Sequence, residues 1–149
     1  MKLSPLLLGV FLTRLFSGSS LAAEAPPPKA GETNPMIGST FFKWDNLKAR
    51  PTANGERRDV ANNPTPTLAV FESHITTLNP GQASHLPHRH PQEELIIVKE
   101  GTVEVHINGQ TQVTGPGSTL LYLSNDAHAV KNVGTTRATC ASVEVGSTS

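Results

Sequence analysis

Cysteine is almost absent. Cys140 is the only one in 149 residues, so no internal disulfide can staple the fold, and a packed core must hold it. Aromatic residues are scarce as well, at 5% of the chain, too few for a pocket built on stacked rings. Neither charge sign dominates: 12 basic and 12 acidic side chains leave a formal charge of zero. No basic stretch tracks a phosphate backbone and no helix-turn-helix pattern occurs, which argues against a nucleic-acid partner. No apolar run approaches the ~20 residues of a bilayer-spanning helix, so no stable membrane span is expected. Beyond residue 67 no helical apolar period of useful length appears either. These absences remove DNA binders, helical membrane proteins and helical bundles.

What is present begins with a leader. Met1-Lys2 gives a weakly positive start, residues 6–12 (Leu-Leu-Leu-Gly-Val-Phe-Leu) form a short apolar core, and small residues follow at 19–23. That order is the layout of a secretory signal peptide, placed at 1–22 with cleavage after Ala22, and Arg14 is its one blemish. The product is expected to be exported, periplasmic or secreted. Loss of Lys2 and Arg14 with no acid leaves 10 basic against 12 acidic residues, a net charge of −2. Residues 23–35 read as a Pro-rich tether around Pro26-Pro27-Pro28, extended and solvated.

Residues 36–149 are expected to form a single domain. Phe41, Phe42 and Trp44 open it, in a segment that reads as packing on the outside of the domain or at a subunit contact, although core packing is the preferred reading of Trp44 itself. Residues 48–66, rich in Asn, Pro, Arg and Thr, lack a sustained period and read as loop with at most one short strand. From Thr67 the strands follow one another: 67–78, 94–99, 103–107, 110–113, 118–123, 127–133 and 138–145. Val103, Val105 and Ile107 alternate with Glu104 and His106 before Asn108-Gly109. Asn-Gly between alternating runs is a strong hairpin signal, since both turn positions need positive φ. Closely spaced strands without βαβ alternation predict an all-β sandwich or barrel, with its core over about 67–146. Cys140 fits its last strand as a small buried hydrophobe.

The chemistry concentrates in four residues. His88 and His90 are two apart, so in a strand both imidazoles project from one face. Glu94 follows the turn at Pro91-Gln92, which can bring its carboxylate back beside them. His128 is far along the chain and joins only when the barrel closes. Three imidazoles and one carboxylate suit one divalent transition metal, and iron, manganese, zinc, nickel and copper all accept such a set. By the same parity Arg89 and Lys131 point away, while Ile96, Val98 and Val130 point in. Asn132 shares the parity of His128 and serves either the site or a structural turn. His74, His85 and His106 have no matched role and read as packing or surface residues.

These residues resemble the two motifs of the cupin superfamily. The first, G(X)5HXH(X)3,4E(X)6G, is met by His88, His90, Glu94 and Gly101, with Gly81 one residue early. The second, G(X)5PXG(X)2H(X)3N, is met by Gly117, His128 and Asn132. Leu123 replaces its proline and Asn125 its inner glycine; Asn tolerates positive φ better than most residues. The resemblance covers residues 81–132. It implies a small jelly-roll barrel, metal ligation by His88, His90, Glu94 and His128, and a homodimer.

Cupins serve many reactions, so the fold names none. One reading is an oxygenase-like, metal-dependent enzyme acting on a small chelating organic molecule, with Glu94 as ligand and proton acceptor. The other is a non-catalytic module that binds a small ligand or uses the metal structurally. Only Phe71 and Tyr122 supply aromatic faces after Thr67, which argues against a sugar-stacking pocket. An oxalate-type substrate would want a cation inside the barrel, and Arg137 is the strand arginine to consider.

Overall fold

Strict alternation decides which side chains enter the core. In the computed structural model, which describes residues 34–147, Glu94, Ile96 and Val98 of one strand are buried while Glu93, Leu95 and Ile97 face outward. Nine strands build the fold: β1 (Arg50–Thr52), β2 (Gly55–Asn63), β3 (Val70–Leu78), β4 (Glu93–Glu100), β5 (Val103–Ile107), β6 (Gln110–Thr114), β7 (Thr119–Tyr122), β8 (His128–Asn132) and β9 (Ala138–Gly146). They form a six-stranded sheet, order β1-β2-β3-β9-β4-β7, facing a three-stranded sheet, order β6-β5-β8. This is the expected all-β jelly roll. The signal-peptide reading (1–22) and nearly all of the tether reading lie outside the described residues. Among the described residues no helix is long and apolar enough to cross a membrane.

The core lies between the two inner faces. Ile96, Val98, Tyr122, Ala138 and Cys140 come from the large sheet, and Val103, Val105 and Val130 from the small one. Burial of each such side chain removes apolar area worth roughly 25 cal/mol per Å². The strand junctions are set by turn residues. Asn108 (φ 47°) and Gly109 (φ 86°) make the β5–β6 hairpin as read from sequence. Gly101 (φ 83°) turns β4 into β5 so close to β9 that a Cβ there would meet the Ala138 Cα at 2.6 Å.

Two expectations need correction. Residues 48–66 are not mainly loop: β1 and β2 form a hairpin, and eight of the nine residues of β2 pair with β3, Val60 being skipped at a bulge. Its charged alternation hid it, because the strand is held by ion pairs rather than by an apolar face. Arg57 binds Asp59 at 2.6 Å and Glu72 at 2.5 Å. Trp44 is not core; it is half exposed, with Arg58 at 4.6 Å and Lys99 at 4.7 Å from its ring centroid, a cation–π sandwich on the outer surface.

Asn132 resolves to the structural alternative. It is fully buried, donates Nδ2–H bonds to the carbonyls of Leu78 (3.0 Å) and Thr136 (2.8 Å), and accepts from the Gly134 N–H (2.9 Å). It ties β3 and β8 to the 133–136 turn. Truncation would leave buried backbone groups unpaired, each at about 1–3 kcal/mol. Asn132→Ala is therefore expected to lower unfolding stability by at least ~1 kcal/mol in urea titrations, and an unchanged midpoint would show these bonds to be dispensable.

Candidate metal centre

The cluster is built from backbone pairing outward. Segment 81–88 runs along β8: Gly81 N–H donates to Asn132 O at 3.0 Å and Ser84 N–H to Val130 O at 3.0 Å. His88 and His128 then exchange N–H···O bonds in both directions, at 3.2 and 3.0 Å. Residues paired in this way project to the same face, and the two imidazole centroids lie 4.7 Å apart. His90 follows two residues later, with centroids 5.2 Å from His88 and 4.7 Å from His128. Glu94 is the first inward residue of β4. Its Oε2 lies 3.2 Å from His128 Nε2 and 3.6 Å from His90 Nε2.

The loop carrying His128 is pinned from three sides. Asn125 takes the left-handed conformation (φ 62°) in the place of the motif glycine, and its N–H donates to His90 O at 2.8 Å. Arg89, which points out of the site as its parity requires, donates to Asn125 O. Asn108, at the tip of the β5–β6 hairpin, donates to Asp126 Oδ1 at 2.7 Å and accepts from Ala127 N–H at 2.9 Å. Tyr122 stacks on the His128 ring at 4.3 Å and 17°. Its hydroxyl is buried without a hydrogen-bond partner, and burial, reinforced by Glu94, pushes its pKa above the usual range.

Hydrogen bonding fixes the imidazole tautomers. His90 Nδ1 lies 3.0 Å from Gln92 O and His128 Nδ1 lies 2.8 Å from Asp126 O. A carbonyl only accepts, so each Nδ1 carries a proton, and in the neutral ring, the form that binds metal, each Nε2 presents a lone pair. His128 Nε2 is buried and has no hydrogen-bond partner, although it faces a carboxylate oxygen. Two acceptors turned toward one another in a buried place fit a cation between them. Ligand atoms of His88, His90 and His128 all lie within 4.8 Å of one another, a spacing compatible with one coordination shell. His88 stands at the rim with part of its ring in solvent. Desolvation of its inner side, and then His85, His128 and His90, lower its pKa to about 4, so at neutral pH it is uncharged.

The remaining expected residues separate clearly. Ile96, Val98 and Val130 face inward, whereas Lys131 is exposed. His106 is apart from the cluster, its Nε2 accepting the Gly109 N–H at 3.1 Å. Arg137 is half exposed and paired with Glu56 at 3.2 Å, so it does not supply the inward cation an oxalate-type substrate would want. His85 is exposed as expected, yet its ring touches His88 with centroids 3.9 Å apart.

Sequence reasoning missed Glu72, His74, Glu144 and the supporting role of Tyr122. In the large sheet Glu72 is opposite Glu144, Glu144 is opposite Glu94, and Glu94 is opposite Tyr122. Three carboxylates thus form one cross-strand row. Burial, then Glu72 and Glu94, raise the Glu144 pKa. His74 is buried and shares with Glu94 a small inner cavity of about 40 Å³, also lined by Ile96, Val130, Cys140 and Ser142. Inward parity from Cys140 through Ser142 to Glu144 was available in the sequence; the order of strands that sets Glu144 between Glu72 and Glu94 was not.

With this geometry in hand, comparison with known proteins is informative about the fold. The family described as "Cupin domain" matches residues 74–144. No curated protein matches the chain. Among solved structures, an RmlC-like cupin from Shewanella frigidimarina is similar at a TM-score of 0.62 and 14% identity, covering 74% of this chain and 94% of that one. KdgF from a Halomonas species is similar at 0.60 and 17%, covering 72% and 94%. The polyketide cyclase RemF from Streptomyces resistomycificus is similar at 0.59 and 17%, covering 72% and 80%. The domain match spans just under half of the chain, and these neighbours share its fold. At such identities the structures speak for fold alone.

The buried imidazoles give a pH signature in the metal-free protein. Burial first, and then Arg57, lower His74 to about 4 from an ordinary 6.5. Between those values the unfolded chain binds the proton that the folded chain refuses, so stability rises with pH across that window and is lost as pH falls through it. The full effect is about 3 kcal/mol. The wild-type stability curve is expected to exceed that of His74→Gln in its slope between pH 4 and 6.5; parallel curves would show that His74 titrates normally.

Proposed function

We propose that this cupin barrel is an exported, metal-dependent enzyme, oxygenase-like in chemistry, that acts on a small chelating organic molecule. The observation that carries the reading is the unpartnered His128 Nε2 set 3.2 Å from Glu94 Oε2. His88, His90, Glu94 and His128 would hold one divalent iron, manganese, zinc, nickel or copper ion. Such an ion, with four protein ligands and open positions, would supply Lewis acidity and a template for a chelating substrate. Ile96, Val98 and Val130 form an apolar floor beneath the ligands that excludes bulk water. Glu94, when free of the ion, offers a carboxylate oxygen to accept a proton at the reacting end.

The surroundings favour two further parts of the proposal. The leader-like segment 1–22 supports export, and a barrel that buries its one thiol, Cys140, asks for no disulfide chemistry. Leu95, Ile97 and Leu121 expose apolar surface on the outer face of β4 and β7, with Leu95 and Leu121 in register. A second copy of the chain is the partner we assign to that face, giving a homodimer.

Metal analysis of protein purified without added metal, followed by dioxygen uptake over chelating acids and phenols, tests the reading. His90→Ala and His128→Ala are each expected to weaken metal binding by at least about 10–100-fold, the range already seen on losing outer partners of a ligand. His106→Ala should retain wild-type occupancy. Equal occupancy in all three variants would refute the ligand assignment, and full occupancy without turnover of any substrate would favour a binding module.

A further inference from the structure

A second set of donors lies beside the four and is not used by them. Glu72 and His74 project from the inner face of β3 and Glu144 from that of β9, with Glu72 opposite Glu144. One ligand atom from each lies within 4.8 Å of the other two. Like charges directly opposite on neighbouring strands are destabilising, so a row of Glu72, Glu144 and Glu94 requires positive charge among its members. Arg57 meets Glu72 at 2.5 Å and supplies part of it; the Nε2 lone pairs of His90 and His128 that face Glu94 supply none. The Glu144 carboxylate has no ion pair or hydrogen bond among the described residues.

His74 supplies the independent sign of a ligand. It is 8% exposed, and its Nδ1 is buried without a hydrogen-bond partner, 3.8 Å from Glu72 Oε1. A nitrogen so placed beside two carboxylates lacks only a cation to complete its bonding. We infer that Glu72, His74 and Glu144 form a second divalent-cation site, so that the chain holds two ions. Glu144 stands at the boundary, because its carboxylate also lies within 4.8 Å of ligand atoms of His90 and Glu94. Arg57, itself bonded to Asp59 at 2.6 Å, acts from behind: by holding one oxygen of Glu72 it orients the carboxylate, as outer partners do in metal sites. Two carboxylates and one imidazole favour manganese, iron or zinc over softer ions. The ligands are distinct from His88, His90, Glu94 and His128, so this site does not depend on the first.

Manganese(II) titration of chelator-stripped full-length protein, with free Mn(II) read by its EPR signal, tests the inference. Wild type is expected to bind two Mn(II) per chain, and His74→Phe, Glu72→Gln and His128→Ala one each. Circular dichroism checks that each variant is folded, and Glu72→Gln, which keeps size and shape, serves if His74→Phe is not. One ion in wild type, kept by His74→Phe and lost in His128→Ala, would overturn the second site and leave the first standing. One ion lost in His74→Phe and kept in His128→Ala would uphold the second and refute the first. Two ions in every variant would overturn both assignments.

Discussion

Two acceptors face one another in the mouth of this barrel, and much of its local architecture serves to hold them there. The His128 Nδ1–H donates a hydrogen bond to the Asp126 carbonyl, and in that tautomer Nε2 presents its lone pair to the Glu94 carboxylate. Both residues are buried, at 2% and 5% exposure. Without a cation the contact leaves His128 Nε2 unsatisfied in a place that water barely reaches, which native proteins avoid. With a cation the same contact becomes two bonds of a coordination shell. The sense of the site turns on that difference.

The fold supplies the constraint through separate devices that agree. Reciprocal backbone bonds lock His88 to His128, Asn125 in the left-handed region returns the chain under His90, and the Asn108 side chain ties the hairpin to the turn before His128. Tyr122 packs against the ring and limits its rotation. Below this polar rim the same strands become apolar: Glu94 is followed inward by Ile96 and Val98, His128 by Val130, Glu144 by Ser142 and Cys140. One end of the barrel is therefore polar and the other apolar. Asn132 is the polar exception in the floor, and its bonds go to backbone groups that would otherwise be unpaired.

What the sequence disclosed follows local periodicity. His88, His90, Glu94 and His128 could be found because spacing of two or four residues and a turn residue in a fixed place are local facts, and the Asn108-Gly109 hairpin likewise. Asn125 in place of glycine was interpretable because φ preference belongs to a single residue. Strand β2 escaped notice because its Glu56-Arg57-Arg58-Asp59 run carries charge where an amphipathic strand would carry apolar residues; the compensating partners, Glu72 and the Leu47 carbonyl, are supplied by other segments. Trp44 was misplaced for a related reason, since the two cations that sandwich it come from β2 and β4. The carboxylate row was the least legible feature. Glu72, Glu94 and Glu144 become neighbours only when β9 inserts between β3 and β4, a consequence of topology that no short window contains.

X-ray absorption at the edge of the metal bound by the purified protein tests the central claim most directly, because it reports the atoms around the ion rather than the consequences of binding. The account predicts a first shell of nitrogen and oxygen near 2.0–2.2 Å, with the outer-shell scattering of about three imidazole rings. A shell containing sulfur, or an all-oxygen shell without imidazole scattering, would contradict it.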